Sequence, residues 1–560
     1  VSTISFSGVG TGIDWSAVVD AQVQVRTQQL VTPLQNTQST YQNQLSAYDQ
    51  LRSLLTDLQS AVQAMDTPDE LRSYSASSSS SSVSAAVSSG AAPGSHTLLV
   101  NQLASAQVET HAGVADDAAV LNDTGASASF TYSYAGNSTT LNVASGTTLE
   151  ELVGLINNDP ANPGLTASIL DDGSGGATSH HLVLRGNDQG AANTVVIDPA
   201  TTLAGFGQDA FSEVQPAANA QFRIDGYPPA GWIERDSNVI DDVVPGLTMT
   251  LNGTNNADPV TVSVAPDVDG VKEKISAFVT AYNAVKTYLN SNTGYDAQSK
   301  KAGVLQGSYA ATLIEQRLQD IIVDVAPGLV RGTDPYTTLG QVGISTVGEG
   351  QDDSLGTLSV DDAKLTDALN GNFESVIRLF ASSGGGSSDS QYISFYQASS
   401  TLTAAGTYDV QVDFDASGNL TAARIKGAGE STWRDAAVGG GYIHGQTGNP
   451  ESGLWLRALW DGASGTQSAT VNVQQGKAGQ ISGLIDDVLD ISTGLLHNAE
   501  QADQDVIGNL DDRISAAQEQ IDSLSELLKE RYARLEEQLV QMQGRQQWIT
   551  STAASLGWTA

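Results

Sequence analysis

The feature that most constrains this chain lies near its C-terminal end. Leu510, Ile514, Ala517, Ile521, Leu524, Leu528, Leu535 and Met542 fall on alternating steps of four and three, with Arg531 and Gln538 in the skipped positions. An apolar residue every 3.5 positions over four heptads reads as a coiled-coil seam, because that spacing keeps one stripe turned toward a partner helix. As helix, 510–549 would run ~60 Å at 1.5 Å per residue. One face of a globular core is the alternative, but the length and the charged flanks, Glu519, Glu526, Lys529 and Glu537 among them, favour the seam.

The other end of the chain offers a partner. Tyr41, Leu45, Tyr48, Leu51, Leu55, Leu58, Val62 and Met65 are spaced by threes and fours, an amphipathic helix stripe. Pro33 separates it from a shorter helix over about 15–30. Ahead of both stands GVGTGIDWSAVV, with Gly8, Gly10 and Gly12. A dinucleotide fingerprint needs a strand before its glycines and an acidic residue ~20 positions on. Seven residues precede Gly8, and no Asp or Glu lies between Asp20 and Asp49. Without a Gly-Lys-Ser/Thr anywhere, a phosphate-binding loop fails too. The glycines read as a flexible leader, with Asp14 placed to cap a helix beginning at Trp15.

Between these helical ends the sequence is β-rich and partly of low complexity. The serine tract at 75–90 would alone suggest a linker, but it runs into the alternating strand pattern of PGSHTLLVNQ, so part of it reads as strand. TLEELVGLINN and VKEKISAFVTAYNAVKTYLN read as helices, and SSGGGSSDS (382–390) reads as a linker into a strand-rich block ending near 475. Helical ends around β-rich inserts predict an α+β multidomain chain whose termini pair while the middle projects away.

Composition excludes several classes of function. At 560 residues the chain exceeds a single core. Its 63 acidic against 25 basic residues, net −38, oppose nucleic acid or anionic lipid as a partner. The absence of cysteine removes disulfides, thiolate metal sites and cysteine nucleophiles. No run of about 18 apolar residues offers a membrane span, and the first basic residue is Arg26, so no Sec-type signal is expected. His96, His111, His180, His181, His444 and His497 are scattered, with no HExxH or GxSxG. DFDASGNL resembles the start of a calcium loop, but Arg424 stands where its bidentate Glu belongs, so a hairpin turn is the better reading. The Asp171/Asp172, Asp241/Asp242 and Asp352/Asp353 pairs read as solvated turns. Trp433, Trp455 and Trp460 are candidates for a sugar-binding platform, although packing is the commoner use of such rings. No catalytic residue, cofactor or metal is expected.

Several segments together resemble the flagellar filament cap family, hook-associated protein 2 (FliD-like). GVGTGIDWSAVV is similar to its Gly-rich leader and first helix, YQNQLSAYDQLRSLLTDLQSAV to the next helix, and GSHTLLVNQLASAQ to the first strand of its β domain. GTTLEELVGLIN, LTASILDD and HHLVLRGNDQGAANTVVI resemble a repeat of flagellar axial proteins. AQFRIDG, FVTAYNAVKTYLNSNTGYD, AGVLQGSYAATLIEQRL and ERYARLEEQLVQMQGRQQWITSTAASL follow the family's order. The resemblance is looser over 116–215 and weakest over 384–475.

The resemblance implies an extracellular structural protein at the flagellum tip, exported through the type III apparatus with an export chaperone. It would assemble as a ring, typically pentameric, that directs incoming flagellin. A tip adhesin for surface glycans and a hook–filament junction protein are the alternatives. The implied division is a leg segment 1–40, flexible when free, and a helical coiled-coil domain 41–72 with 268–382 and 476–530. A β-rich domain 83–115 with 217–267 carries an outer insert 116–216; 384–475 is a further β-rich insert and 531–560 the C-terminal leg helix. If the C-terminal helix pairs with the 41–65 stripe, Leu524 and Leu528 meet Tyr48, Leu51 or Leu55.

Overall fold

The Asp14 side chain accepts the amides of Ser16 and Ala17, so the first helix starts where the capping pattern puts it. The computed structural model describes residues 12–555 except 13, 89, 256–257, 297–299, 349–353, 461 and 463. Among these residues the helices are α1 (Trp15–Leu30), α2 (Thr32–Gln63), α3 (Pro68–Leu71), α4 (Leu149–Asn157), α5 (Val268–Thr293), α6 (Tyr309–Val323), α7 (Asp362–Ala381), α8 (Lys477–Leu489) and α9 (Leu495–Ser555). The break between α1 and α2 falls at Val31, two residues before Pro33, which sits in the first turn of α2 where its missing amide costs nothing. Two units result: Ser73–Asp267 forms one, and the rest of the chain the other.

The larger unit is built on helices. Leu51, Leu55, Leu58 and Val62 of α2 lie in one core with Ile275, Phe278 and Val285 of α5, Ile314 of α6, Phe380 of α7 and Ile485 of α8. Each is fully or almost fully buried, worth roughly 1.5–3 kcal/mol apiece in transfer energy. Ser308 caps α6 through the amide of Ala311, and Asp361 caps α7 through that of Lys364.

From the end of α7 the chain enters a β domain and returns directly to α8. Its eight strands run in the order Ser383–Ser388, Gly465–Gln475, Gly406–Phe414, Leu420–Gly427, Arg434–Gly439, Tyr442–His444, Trp455–Ala458 and Ile393–Gln397, with every pairing antiparallel. The Gly/Ser run expected as a linker is thus the first strand. Gly386 has to be small there, because a Cβ would lie 2.4 Å from the ring of Phe395. Entry and exit meet where the Gly476 amide donates to Ser382 O at 2.7 Å, and a Cβ on Gly476 would lie 2.1 Å from Phe380 O.

The Ser73–Asp267 unit holds two cores. In the first, Tyr74–Ser78, Val260–Pro266, Gly94–Gln102, Ala220–Ile224 and Ile233–Arg235 form one sheet, and Val239–Val244, Leu247–Leu251 and Val83–Val87 another. The serine tract therefore supplies two strands and the turn between them. In the second core, Phe211–Gln215, Val108–His111, His180–Gly186 and Leu165–Asp171 pack with Asn137–Val143, Ala128–Tyr134, Val195–Ile197 and α4. The division differs from the one expected at 115/116. Val108–His111 pairs with Phe211–Gln215 and His180–Gly186, so this core takes in residues before 116, and the chain passes between cores at the Ser105–Ala218 bridge. Likewise the first core begins at Tyr74 rather than 83, and α9 runs unbroken through 530/531.

Candidate assembly interface

The two ends of the chain pair through polar contacts that report their register. Arg52 donates to Glu500 at 2.6 Å, Gln38 to Asp511 at 2.5 Å, Gln22 to the Tyr532 hydroxyl at 3.1 Å, and the Trp15 indole to Glu536 at 2.7 Å. Every step back along α2 and α1 is matched by a step forward along α9, so the pairing is antiparallel. The Trp15 and Tyr532 rings stack with centroids 4.9 Å apart and close the far end.

That register moves the seam expected from the leucine spacing. Tyr48, Leu51 and Leu55 lie opposite the start of α9, where Leu496 is buried in their core. Leu524 and Leu528 face α1 instead: Leu524 lines a groove with Ala17, Val18, Ala21 and Val25. Periodicity fixes which face of a helix is apolar, but not how far along a partner that face slides. Leu510, Ile521 and Leu528 are buried, Ile514 and Leu524 half-buried, and Leu58 and Val62 fully buried. Tyr41 and Leu45 are half-buried at the lip of the bundle. Leu535 is 38 % exposed and Met542 63 %, so the stripe outruns its cover. The physical reason is length: α1 starts at Trp15, opposite Tyr532 and Glu536, while α9 continues to Ser555. Of the leader, Gly8 and Gly10 lie outside the described residues, and Gly12 has φ +77° with open space around its Cα.

The groove between α1 and α9 has a volume of about 890 Å³ and is open to solvent. Val25, which lines it, and Leu527, three residues on from Leu524, are more than half exposed. At the bundle end the chemistry differs. The Tyr48 hydroxyl shares a 2.8 Å hydrogen bond with Ser308, and burial raises its pKa. Asp503 is also pushed up by burial, and one oxygen each of Asp503 and Glu500 is enclosed without a hydrogen-bond partner. Nothing in the leucine pattern signals these carboxylates or the Trp15–Tyr532–Glu536 clasp; an aromatic at each end of the paired stretch is the only hint.

The residues considered for chemistry are placed apart. His180 faces Asp171 and His181 faces Asp172 across a hairpin, His96 meets Asp225 at 2.7 Å, and His111 is buried against Phe206. Asp415 accepts the amides of Ser417 and Asn419, which makes the calcium-loop lookalike a hairpin turn. Asp242 pairs with Arg235, and Asp352/Asp353 lie outside the described residues. Among the described residues no group of three or more His, Cys, Asp or Glu could hold a metal, and no helix is long and apolar enough to cross a membrane. The three tryptophans form no single platform. Trp433 lies by Arg424 and Lys426, Trp455 against His444 at 3.6 Å, and Trp460 would collide with a Cβ on Gly418.

Comparison with known proteins converges on one family. The model described as flagellar hook-associated protein 2 C-terminus matches residues 217–544, and the corresponding N-terminus model matches 11–107. The A-type flagellar hook-associated protein 2 of Pseudomonas aeruginosa is 29% identical over 409 residues, covering 69% of this chain and 82% of that protein. Flagellar hook-associated protein 2 of Escherichia coli (strain K12) is 30% identical over 403 residues, covering 69% and 81%. Among solved structures, the D1-D2-D3 domains of the flagellar cap protein FliD from Escherichia coli align at 27% identity and a TM-score of 0.45, covering 60% of this chain and 89% of that one.

Proposed function

The chain belongs to the flagellar hook-associated protein 2 family, and on that premise we propose that its paired ends, α1 and α2 against α9, form the coiled-coil leg of a filament cap. It is a structural protein at the distal end of the bacterial flagellar filament, outside the cell. Neither the tip-adhesin nor the hook-junction alternative is favoured as its main role.

The observation that carries the proposal is the uncovered apolar stripe. Val25 and Leu527 lie exposed on the two-helix segment, and Leu535 and Met542 on the turns of α9 at and beyond the start of α1, where a globular protein would place a further helix. The proposed occupant is a helix of a neighbouring subunit in the filament. The cap copies themselves form a ring, pentameric as is typical of the family, and the β-rich domains supply the plate that directs flagellin. The work is positional and uses no catalytic group. Flagellin, an export chaperone and the type III export apparatus are the further partners. Of the leg segment 1–40, the part from 14 to 40 is proposed to be flexible in the free subunit and to order on assembly, because α1 buries only Val19 and helices in water depend on tertiary packing for most of their stability.

Deleting the gene tests this directly. Cells should release flagellin into the medium and carry no long filaments, and the intact chain should restore both. Normal filaments in a clean deletion would end the cap assignment. Light scattering of the purified chain would count the ring.

A further inference from the structure

The second core of the Ser73–Asp267 unit leaves one sheet edge bare beside a groove. Tyr134 pairs with Asn137 across Ala135 and Gly136, both at positive φ, so a two-residue turn joins Ala128–Tyr134 to Asn137–Val143. Residues flanking such a turn exchange hydrogen bonds, and the alternation then turns the backbone groups of Thr139, Leu141 and Val143 toward the partner strand. Those of Ser138, Thr140 and Asn142 point away from the sheet. The partner strand keeps the same phase: opposite Thr140 and Asn142, the amides of Thr131 and Ser129 leave on the far side, to the hydroxyls of Thr201 and Thr202. Asn137–Val143 is the outer strand of its sheet, and among the described residues nothing pairs with its outward amides and carbonyls.

The other edges of this core are closed. Along Leu165–Asp171, Asn157 of α4 donates to Ala167 O and accepts the Ala167 amide, both at 2.8 Å, and Asn162 does the same for Leu165. The amides of Val195 and Ile197 go to the side chains of Gln107 and Gln208, and a bulge interrupts Phe211–Gln215. Proteins guard exposed edges with such devices, with charges or with proline. Asn137–Val143 has an unbroken register and offers only Ser138, Thr140 and Asn142 to solvent. Between it and α4 lies a groove of about 610 Å³ lined by Leu141, Gly154 and Leu155. A Cβ on Gly154 would meet nothing nearer than the Asn158 amide nitrogen at 4.0 Å, so the space over it is open.

We propose that this groove receives an extended, basic peptide segment of a partner protein as an added strand of the sheet. Main-chain bonds to Ser138, Thr140 and Asn142 hold it, and alternate apolar side chains lie over Gly154 and Leu155. Charge selects the occupant. Glu151 and Asp159 line the groove with no Lys or Arg beside them, and none occurs in the sequence between Arg72 and Arg185. A second copy presents the same acidic surface and is repelled, as is a free C-terminal carboxylate. A helical ligand has no main-chain groups to spare for the edge. The site adds a recruited partner to the cap without altering its structural role.

The probe is a random octapeptide library displayed on phage and panned against the purified full chain, with the selected peptides then synthesised and titrated by fluorescence polarisation. Selected sequences should alternate apolar and polar residues and carry Lys or Arg. Methylating alternate peptide nitrogens should weaken binding about tenfold or more in one phase and little in the other. Gly154→Leu fills the groove while favouring the helix, and should weaken binding about tenfold or more. Thr140→Pro removes one outward amide from the edge and should weaken it several-fold. If Thr140→Pro disturbs the fold, Gly154→Leu and the methylated peptides decide. The proposal is overturned if no sequence is enriched, if acidic peptides are preferred, or if the folded variants bind as the parent does. Dimerisation of the chain that Thr140→Pro abolishes would give the edge to a second copy and overturn it as well. Its failure would leave the cap assignment standing, since that is read from filament growth in cells.

Discussion

Along α2, Leu51, Leu55, Leu58 and Val62 are fully or almost fully buried among α5, α8 and α9; along α1, Val19 alone is buried, and α9 is the principal neighbour. Both helices are partners of the same long α9, yet one sits in a many-sided core and the other in a two-helix seam. The difference shows that pairing is not equivalent to stability. A leucine in the bundle loses water on every side, whereas one in the seam keeps part of its surface wet and contributes correspondingly less. The seam is thus the part of the molecule best suited to open and accept a new partner.

Four changes would break or sharpen that contrast. The largest effect is expected from Leu58→Asp, which puts an unpaired charge at a position with no solvent exposure. A loss of more than about 4 kcal/mol should unfold the helical unit. Far-ultraviolet dichroism should show the helix signal collapse, while the Ser73–Asp267 unit, with its own two cores, keeps its strand signal. Retention of most of the helix content would mean the bundle core is looser than its burial implies.

Leu524→Asp combined with Leu528→Asp should act on the seam alone. We expect α1 to detach and filament capping to fail in a motility assay, with a partial loss of helix signal and the bundle intact. Truncating buried leucines typically costs ~2–5 kcal/mol, and the half-exposure of Leu524 places this pair toward the lower end. Restored swimming with unchanged helix content would remove these leucines from the seam.

A pH titration separates the regions by a different route. Lys477, at the start of α8, has no solvent exposure and donates to the carbonyls of Ile321 and Asp324; burial pushes its pKa from 10.5 down to about 8. Below pH 8 both folded and unfolded chains hold the proton, and the cost of the buried charge is present in full. Between pH 8 and 10.5 the unfolded chain binds the extra proton, so this residue makes the bundle more stable as pH rises, by at most about 3 kcal/mol. Unfolding followed by a bundle probe should show this gain, and Lys477→Met should abolish it. A gain of equal size in Lys477→Met would assign it to other groups. Smallest of all, Trp15→Ala should cost about 1 kcal/mol by removing the Tyr532 stack and the Glu536 hydrogen bond. Faster amide exchange confined to α1 and the facing turns of α9 is the expected signature.

Much of this architecture was legible from residue patterns alone. Threes and fours marked the helices of both ends, Asp14 marked where the first begins, and the ordered family segments pointed to a filament cap. These signals are local: a cap side chain reaches amides two and three residues on, and an apolar stripe is a property of one helix. What only the tertiary structure decided depends on a second piece of chain. Ser and Gly runs at 75–90 and 383–388 became strands because neighbours such as Val260–Pro266 and Gly465–Gln475 hold out unpaired backbone groups for them, which no intrinsic preference of serine or glycine announces. Leu524 meets α1 rather than Leu51 because an antiparallel register is set by the ends of both helices and by clasps such as Trp15–Tyr532, hundreds of residues apart in sequence.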